Sequence, residues 1–203
     1  MSQGTTNLSE WLRAVWPDQF FCLRRRLVPL RVGHIMLLLR LESPFVTGAR
    51  VPDAADLALA ILICTRSVRE ATRLVTFGSW WSKLAMNWTG IRCAFGTQRG
   101  ISQFSAYLLS GIKGPRWWSK STKGAPMRTP FWLAVLTTLQ RDLLYRPEEA
   151  RELAAARALW ECSAVWEGND AIDLVSNDEW LAMERALADA QPPNGHAMAT
   201  PQR

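Results

Sequence analysis

Apolar residues recur every three or four positions through most of the chain, a spacing that predicts a mainly α fold, a multi-helix globular domain. In "NLSEWLRAVW", Leu8, Trp11, Leu12, Val15 and Trp16 follow that spacing behind Asn7 and Glu10, a near capping box, and Pro17 stops the helix. "FFCLRRRLVPL" breaks the period, and Pro29 argues against a helix interior there. The prediction for this stretch is extended chain, a short hairpin or edge strand, and at most a small β element near residues 20–30. Next comes a short helix from about Val32 to Glu42, stopped before Pro44 and apolar nearly all round, so it should be buried.

"VPDAADLALAILICTRS" reads as a helix with Pro52 at its start, Asp53 and Asp56 in its first turn and Arg66 near its end, a charge order that complements the helix dipole. A third helix is expected from about Val68 to Trp88, with Leu74, Phe77, Trp81, Leu84, Ala85 and Trp88 forming its stripe. A glycine-rich break precedes a short helix from about Gln98 to Ile112. In the segment that follows, Gly114, Pro115, Gly124, Pro126 and Pro130 forbid a continuous helix.

Beyond it, Thr129 is the expected N-cap and Pro130 the first helical residue of a helix carrying Leu133, Leu136, Leu139, Leu143 and Leu144. One further helix is expected from Pro147 to Gly168, with Glu148 and Glu149 in its first turn. A short connection leads to a last helix, capped by Ser176 and Glu179. Residues 191–203 are expected to be a disordered tail.

Charge changes this picture by dividing it. Residues 1–128 hold 18 Lys/Arg against 6 Asp/Glu, a net of +12, whereas residues 129–203 hold 6 against 12, a net of −6. The organisation expected is a basic helical body (1–113), a Pro/Gly-rich basic loop (114–128), an acidic helical unit (129–190) packing on the body, and the tail (191–203). Such a division suits nucleic acid or an acidic protein surface, packing of one part on the other or on neighbouring copies, or plain solvation.

The chain has 203 residues, 48% of them hydrophobic, and is long enough for a core. It contains eleven Trp and two Tyr, and Trp favours cores and interface hot spots. Cys22, Cys64, Cys93 and Cys162 are widely separated, and only His34 and His196 offer imidazole, so zinc is not expected and the thiols should be reduced and buried. The N-terminus lacks a secretion signal, and the longest apolar run, eight residues at Leu57 to Cys64, is far short of a membrane span of roughly 20.

Neither phosphate-binding loops, a G-x-S-x-G elbow nor H-E-x-x-H occurs, and no catalytic residue, cofactor or metal is assigned. His34 at the start of an apolar helix reads as a structural imidazole. Glu167, Asp170, Asp173, Asp178 and Glu179 do not follow the order of a calcium loop, and helix capping accounts for their neighbours.

The tetrapeptide "WWSK" occurs twice, at Trp80 to Lys83 inside a helical stripe and at Trp117 to Lys120 inside the basic loop. Burial is the plain expectation for both. If either site is a contact surface it is the second, which makes Arg116, Trp117, Trp118 and Lys120 the candidate partner-binding residues.

Three stretches also carry a resemblance. "LVPLRVGHIMLLLRLESPFV", "DLALAILICTRS" and the span from Pro130 to Ser176 are similar to small proteins of phage and prophage tail-gene modules, including tail assembly chaperone-like proteins. The shared features are a "PL-x-x-GH" helix start at Pro29 to His34, a "SPF" stop at Ser43 to Phe45, the helix from Asp56 to Arg66, and the Glu-Gly and "LVS" turn at Glu167 to Ser176. They cover about half the chain, and the Trp-rich middle from Phe77 to Met127 has no counterpart.

The resemblance implies a non-enzymatic, cytoplasmic or virion-associated assembly protein that binds the tape-measure protein or other tail components and self-associates around them. Two alternatives stand beside it. Basic stretches with aromatic residues suit a nucleic-acid-binding accessory protein. Paired Trp and Lys suit peripheral membrane attachment.

Overall fold

The computed structural model describes residues 11, 12, 14, 15, 19–77, 96–119, 129–175 and 177–190. The opening pattern is helical where described, at residues 11, 12, 14 and 15, while Leu8, Trp16 and Pro17 lie outside the described residues. An antiparallel hairpin follows, β1 (Phe20–Cys22) with β2 (Arg25–Leu27), which is the small β element expected there. Then come helices α1 (Val32–Arg40), α2 (Pro44–Thr47), α3 (Ala54–Cys64), α4 (Val68–Thr76) and α5 (Thr97–Gly111). The rest is β3 (Trp117–Ser119), α6 (Phe131–Arg141), α7 (Pro147–Glu152), α8 (Ala155–Gly168), β4 (Ile172–Leu174) and α9 (Asn177–Ala190). The class is mainly α, as the periodicity predicts.

Polar residues at the helix ends set several boundaries. The Asp53 carboxylate accepts from the Ala55 and Asp56 amides at 2.8 Å each, and Asp56 accepts from the Asp53 amide at 2.9 Å, so α3 starts in a reciprocal cap. At its other end the Arg66 guanidinium donates to the Leu62 carbonyl at 2.7 Å, which satisfies one of the last-turn oxygens. Ser67 and Glu70 form a second reciprocal cap and start α4 at once.

The expected helix from Val68 to Trp88 is shorter: α4 ends at Thr76. Its buried face is Val68 and Ala71, and Phe77 is 77% exposed, so the stripe through Leu74 and Phe77 is not the packed one. Trp80, Trp81 and the rest of that expected helix lie outside the described residues, as does Cys93.

Two apolar clusters share α1. Ile35, Leu37 and Leu38 join Leu57, Ile61, Phe104 and Tyr107 in one. Val32 joins Val135, Leu139, Ala158, Leu159 and Cys162 in the other. This two-sided packing is why α1 is apolar nearly all round. Gly33 permits the closest approach: a Cβ there would stand 2.4 Å from Val68 Cγ1 and 3.0 Å from the Arg151 carbonyl oxygen.

The single helix expected from Pro147 to Gly168 is instead two. Leu153 and Ala154 leave helical geometry, with ψ of 139° and 133°, and Ala154 pairs with Arg31. The Val32 amide donates to the Leu153 carbonyl at 3.1 Å and the Ala155 amide to the Leu30 carbonyl at 2.8 Å. These bonds replace those the helix gives up, so the break leaves few backbone groups unpaired. Glu152 fixes the seam, taking the Arg31 guanidinium and, at 3.2 Å, the Arg69 amide at the start of α4.

At the start of α6, Pro130 occupies the N-cap position and Thr129 makes no cap, because the first-turn acceptor is the Pro130 carbonyl, bonded by the Leu133 and Ala134 amides. Val135, Leu136, Thr138 and Leu139 are its buried face, while Leu133 and Leu144 are exposed. A second ribbon goes beyond the one β element expected: β3, inside the stretch read as loop, pairs antiparallel with β4 in the stretch read as a plain connection. Ser176, expected to cap α9, and the tail 191–203 lie outside the described residues.

Candidate functional site

Helix α5 carries two apolar stripes. Gly100, Phe104, Tyr107 and Leu108 are buried in the core. Ile101, Ser105, Leu109 and Ile112 lie on a flank turned roughly 60–140° about the helix axis from Phe104, at 100° per residue. Leu109 is 69% exposed and Ile112 38%. Ile101 still packs on the core, so the second stripe leaves its apolar surface uncovered at Leu109 and Ile112.

That flank is the floor of a groove. At one end a hollow of about 340 Å³ lies between α5, α2 and α6, lined by Phe45, Val46, Leu108, Leu109, Ile112 and Trp132 among others. A second hollow, of about 500 Å³, adjoins it through the shared residues Phe45 and Ser105 and continues past Ile101 to Val51, which is 84% exposed. From residue 101 to residue 112 the floor runs roughly 16 Å at 1.5 Å per residue, about three turns of helix.

Local chemistry holds the walls. Gly48, with φ 65°, closes α2 in a left-handed cap that returns the chain at once toward α3. Phe45 is seated by an edge-on contact with Phe104 at 4.7 Å between centroids. The open end is polar: Arg50 binds Asp56 through two hydrogen bonds of 2.6 and 2.7 Å. Burial pushes the Asp56 carboxyl up, but the Arg50 hydrogen bond and the Asp53 amide outweigh it and hold the group below its ordinary range.

The four residues singled out in the sequence are used differently from one another. The Arg116 guanidinium lies 4.6 Å from the centre of the Trp180 ring, and the Arg116 carbonyl accepts from the Val175 amide at 2.9 Å. Trp117 is half-buried, stacked on Phe131 at 6.4 Å and edge-on to Trp166 at 6.2 Å, while Trp166 donates its indole N–H to Thr138 at 3.1 Å. Arg116 and Trp117 thus clasp the C-terminal helices. The Trp118 side chain and Lys120 lie outside the described residues.

The buried titratable groups are quiet. The His34 imidazole is fully buried and donates from Nε2 to the Arg66 carbonyl at 3.0 Å. Burial drives its pKa down to about 4; the Arg66 carbonyl opposes this and the Arg31 charge adds to it. It is neutral at physiological pH. Burial likewise pushes the Cys64 and Cys162 thiols up to about 12, so both are protonated and poorly nucleophilic. Among the described residues no three His, Cys, Asp or Glu side chains gather as a metal site, and no helix is long and apolar enough to cross a membrane.

No protein-family model, curated protein or solved structure matches the chain. The α5 groove is the feature that the sequence reading missed. Its signal is present in "ISQFSAYLLSGI", whose apolar arc is wider than one packed face requires.

Proposed function

We propose that the protein is a non-enzymatic assembly factor that holds an apolar helical segment of a partner protein in the α5 groove. This is the activity implied by the resemblance to phage tail assembly chaperones, with a tape-measure or other tail protein as the partner and the host cytoplasm as the place of action. The observation that carries the reading is the hollowed flank of α5 from Ile101 to Ile112, whose apolar surface is uncovered at Leu109 and Ile112. An amphipathic helix recognised through residues at i, i+3, i+4 and i+7 presents about two turns, roughly 10 Å, which fits within this floor.

The test is co-expression with a tail tape-measure protein taken from the genes that neighbour this one, followed by size-exclusion chromatography. A stable complex is expected, and Leu109→Asp should dissociate it. Because Leu109 is mostly solvent-exposed, the variant should unfold within about 0.5 kcal/mol of the parent. A complex indifferent to Leu109→Asp and Ile112→Asp overturns the groove as the binding site. Failure to form any complex, or a gene neighbourhood without tail genes, overturns the tail assignment.

A further inference from the structure

The turn of the β1–β2 hairpin consists of Leu23 and Arg24, both with positive φ, 47° and 65°. Glycine and asparagine are the residues of least cost in such a left-handed pair. Leu23 is accounted for by packing. Its side chain fills a hollow left by two glycines of the α5 start, where a Cβ would stand 3.2 Å from it at Gly96 and 3.1 Å at Gly100. Its amide donates to the Gln103 side chain at 3.1 Å.

Arg24 has no such role. It is exposed and makes no hydrogen bond or ion pair among the described residues. The hairpin register places Phe21 opposite Arg26, so those two side chains share the outer face, while the Cys22–Arg25 and Phe20–Leu27 pairs share the inner one. Phe21 is 55% exposed, Arg26 is exposed, and Arg26 too has no ion-pair partner among the described residues. Directly opposed residues hold their Cβ atoms about 5 Å apart, which sets a bare aromatic ring beside one guanidinium and near a second at the tip.

We propose that this outer face binds single-stranded nucleic acid, with Phe21 stacked on an unpaired base and Arg24 and Arg26 on neighbouring phosphates. A single strand offers both an open base face and a row of phosphates. A duplex offers phosphates while its bases stay stacked, leaving Phe21 unused. An acidic peptide pairs with the arginines but has no base for the ring. The site shares no residue with the α5 groove and stands independently of the assembly role.

Fluorescence anisotropy of the full chain with a labelled oligothymidine of about 12 nucleotides tests it, across a salt series. Phe21→Ala should weaken binding about tenfold, the loss of one stacked base. Arg24→Ala and Arg26→Ala should each flatten the slope of log K against log salt by about 0.7. Arg24→Gly is the sharpest variant: relief of the left-handed strain should raise the melting temperature while affinity falls. A residue with only a turn-forming role would raise stability and leave affinity unchanged, which overturns the proposal. So do no binding at low salt, equal binding of a duplex with no effect of Phe21→Ala, or binding of polyglutamate in place of oligothymidine.

Discussion

The two ribbons are equal in size, three residues to a strand, and are held by different means. In β1–β2 the partners are joined by a two-residue turn, so closing it costs little chain entropy, and the cost appears instead as two left-handed residues. In β3–β4, Trp117 meets Leu174 across α6, α7 and α8, and closure depends on those helices already being packed. There the anchor is aromatic: Trp117 on Phe131 and Trp166, with Arg116 over Trp180. A local ribbon tolerates a strained turn because Leu23 is seated on the body, whereas a long-range ribbon needs side chains large enough to offset the ordering of its distant partner.

Acid offers the strongest way to break this contrast. His34 is neutral in the fold with a pKa of about 4, against 6.5 unfolded, so the unfolded chain binds the extra proton between those values. Stability is therefore full above pH 6.5 and falls as pH drops toward 4, by up to about 3 kcal/mol. Urea midpoints at pH 7 and pH 4.5 should show it, with amide protection of both ribbons lost in one transition. Loss of the two at different pH would mean that they belong to separate cooperative units.

Trp117→Ala should cost about 2 kcal/mol, less than truncation of a fully buried Trp, and should release the amides of Ile172–Leu174 while leaving Phe20–Leu27 protected. Hydrogen exchange checks the selectivity; equal loss in both ribbons would contradict the aromatic anchor. Gly100→Ala is the converse. Its Cβ would stand 2.5 Å from Leu57 Cδ2 and 3.1 Å from Leu23 Cδ1, so a loss of about 1–2 kcal/mol is expected, felt in α3 and β1–β2 and not in β3–β4. The smallest effect is a gain: Arg24→Gly should stabilise the fold by about 0.5–1 kcal/mol in denaturant titration, and no such gain is expected from any substitution in β3.

The legible parts of the fold share a cause. Asp53 and Asp56 start a helix through contacts within three residues, and the hairpin closes over two, so neighbours in sequence contain the whole interaction. The apolar surround of α1 announces burial because both its faces are used. Two misreadings have the opposite origin. The break at Leu153 and Ala154 comes from backbone bonds to Leu30 and Val32, distant residues that no local pattern names. Phe77 keeps helical spacing yet turns from the core, since α4 packs through Val68 and Ala71. Trp117 packs as expected, but its pairing with Leu174 in a stretch read as loop also depends on a distant partner.

By itself the sequence determined the helical class, the start of α3 behind Asp53 and Asp56, the basic-to-acidic division and the burial of α1, because propensity and periodicity act over one or two turns of chain. Tertiary structure alone decided which apolar stripe of α5 is core and which is groove. It also decided where the C-terminal helix breaks and that Arg116 lies over Trp180 while Trp117 packs on Phe131 and Trp166. Each of those outcomes is fixed by a partner many residues away, and a side chain's local pattern carries no record of which surface will reach it first.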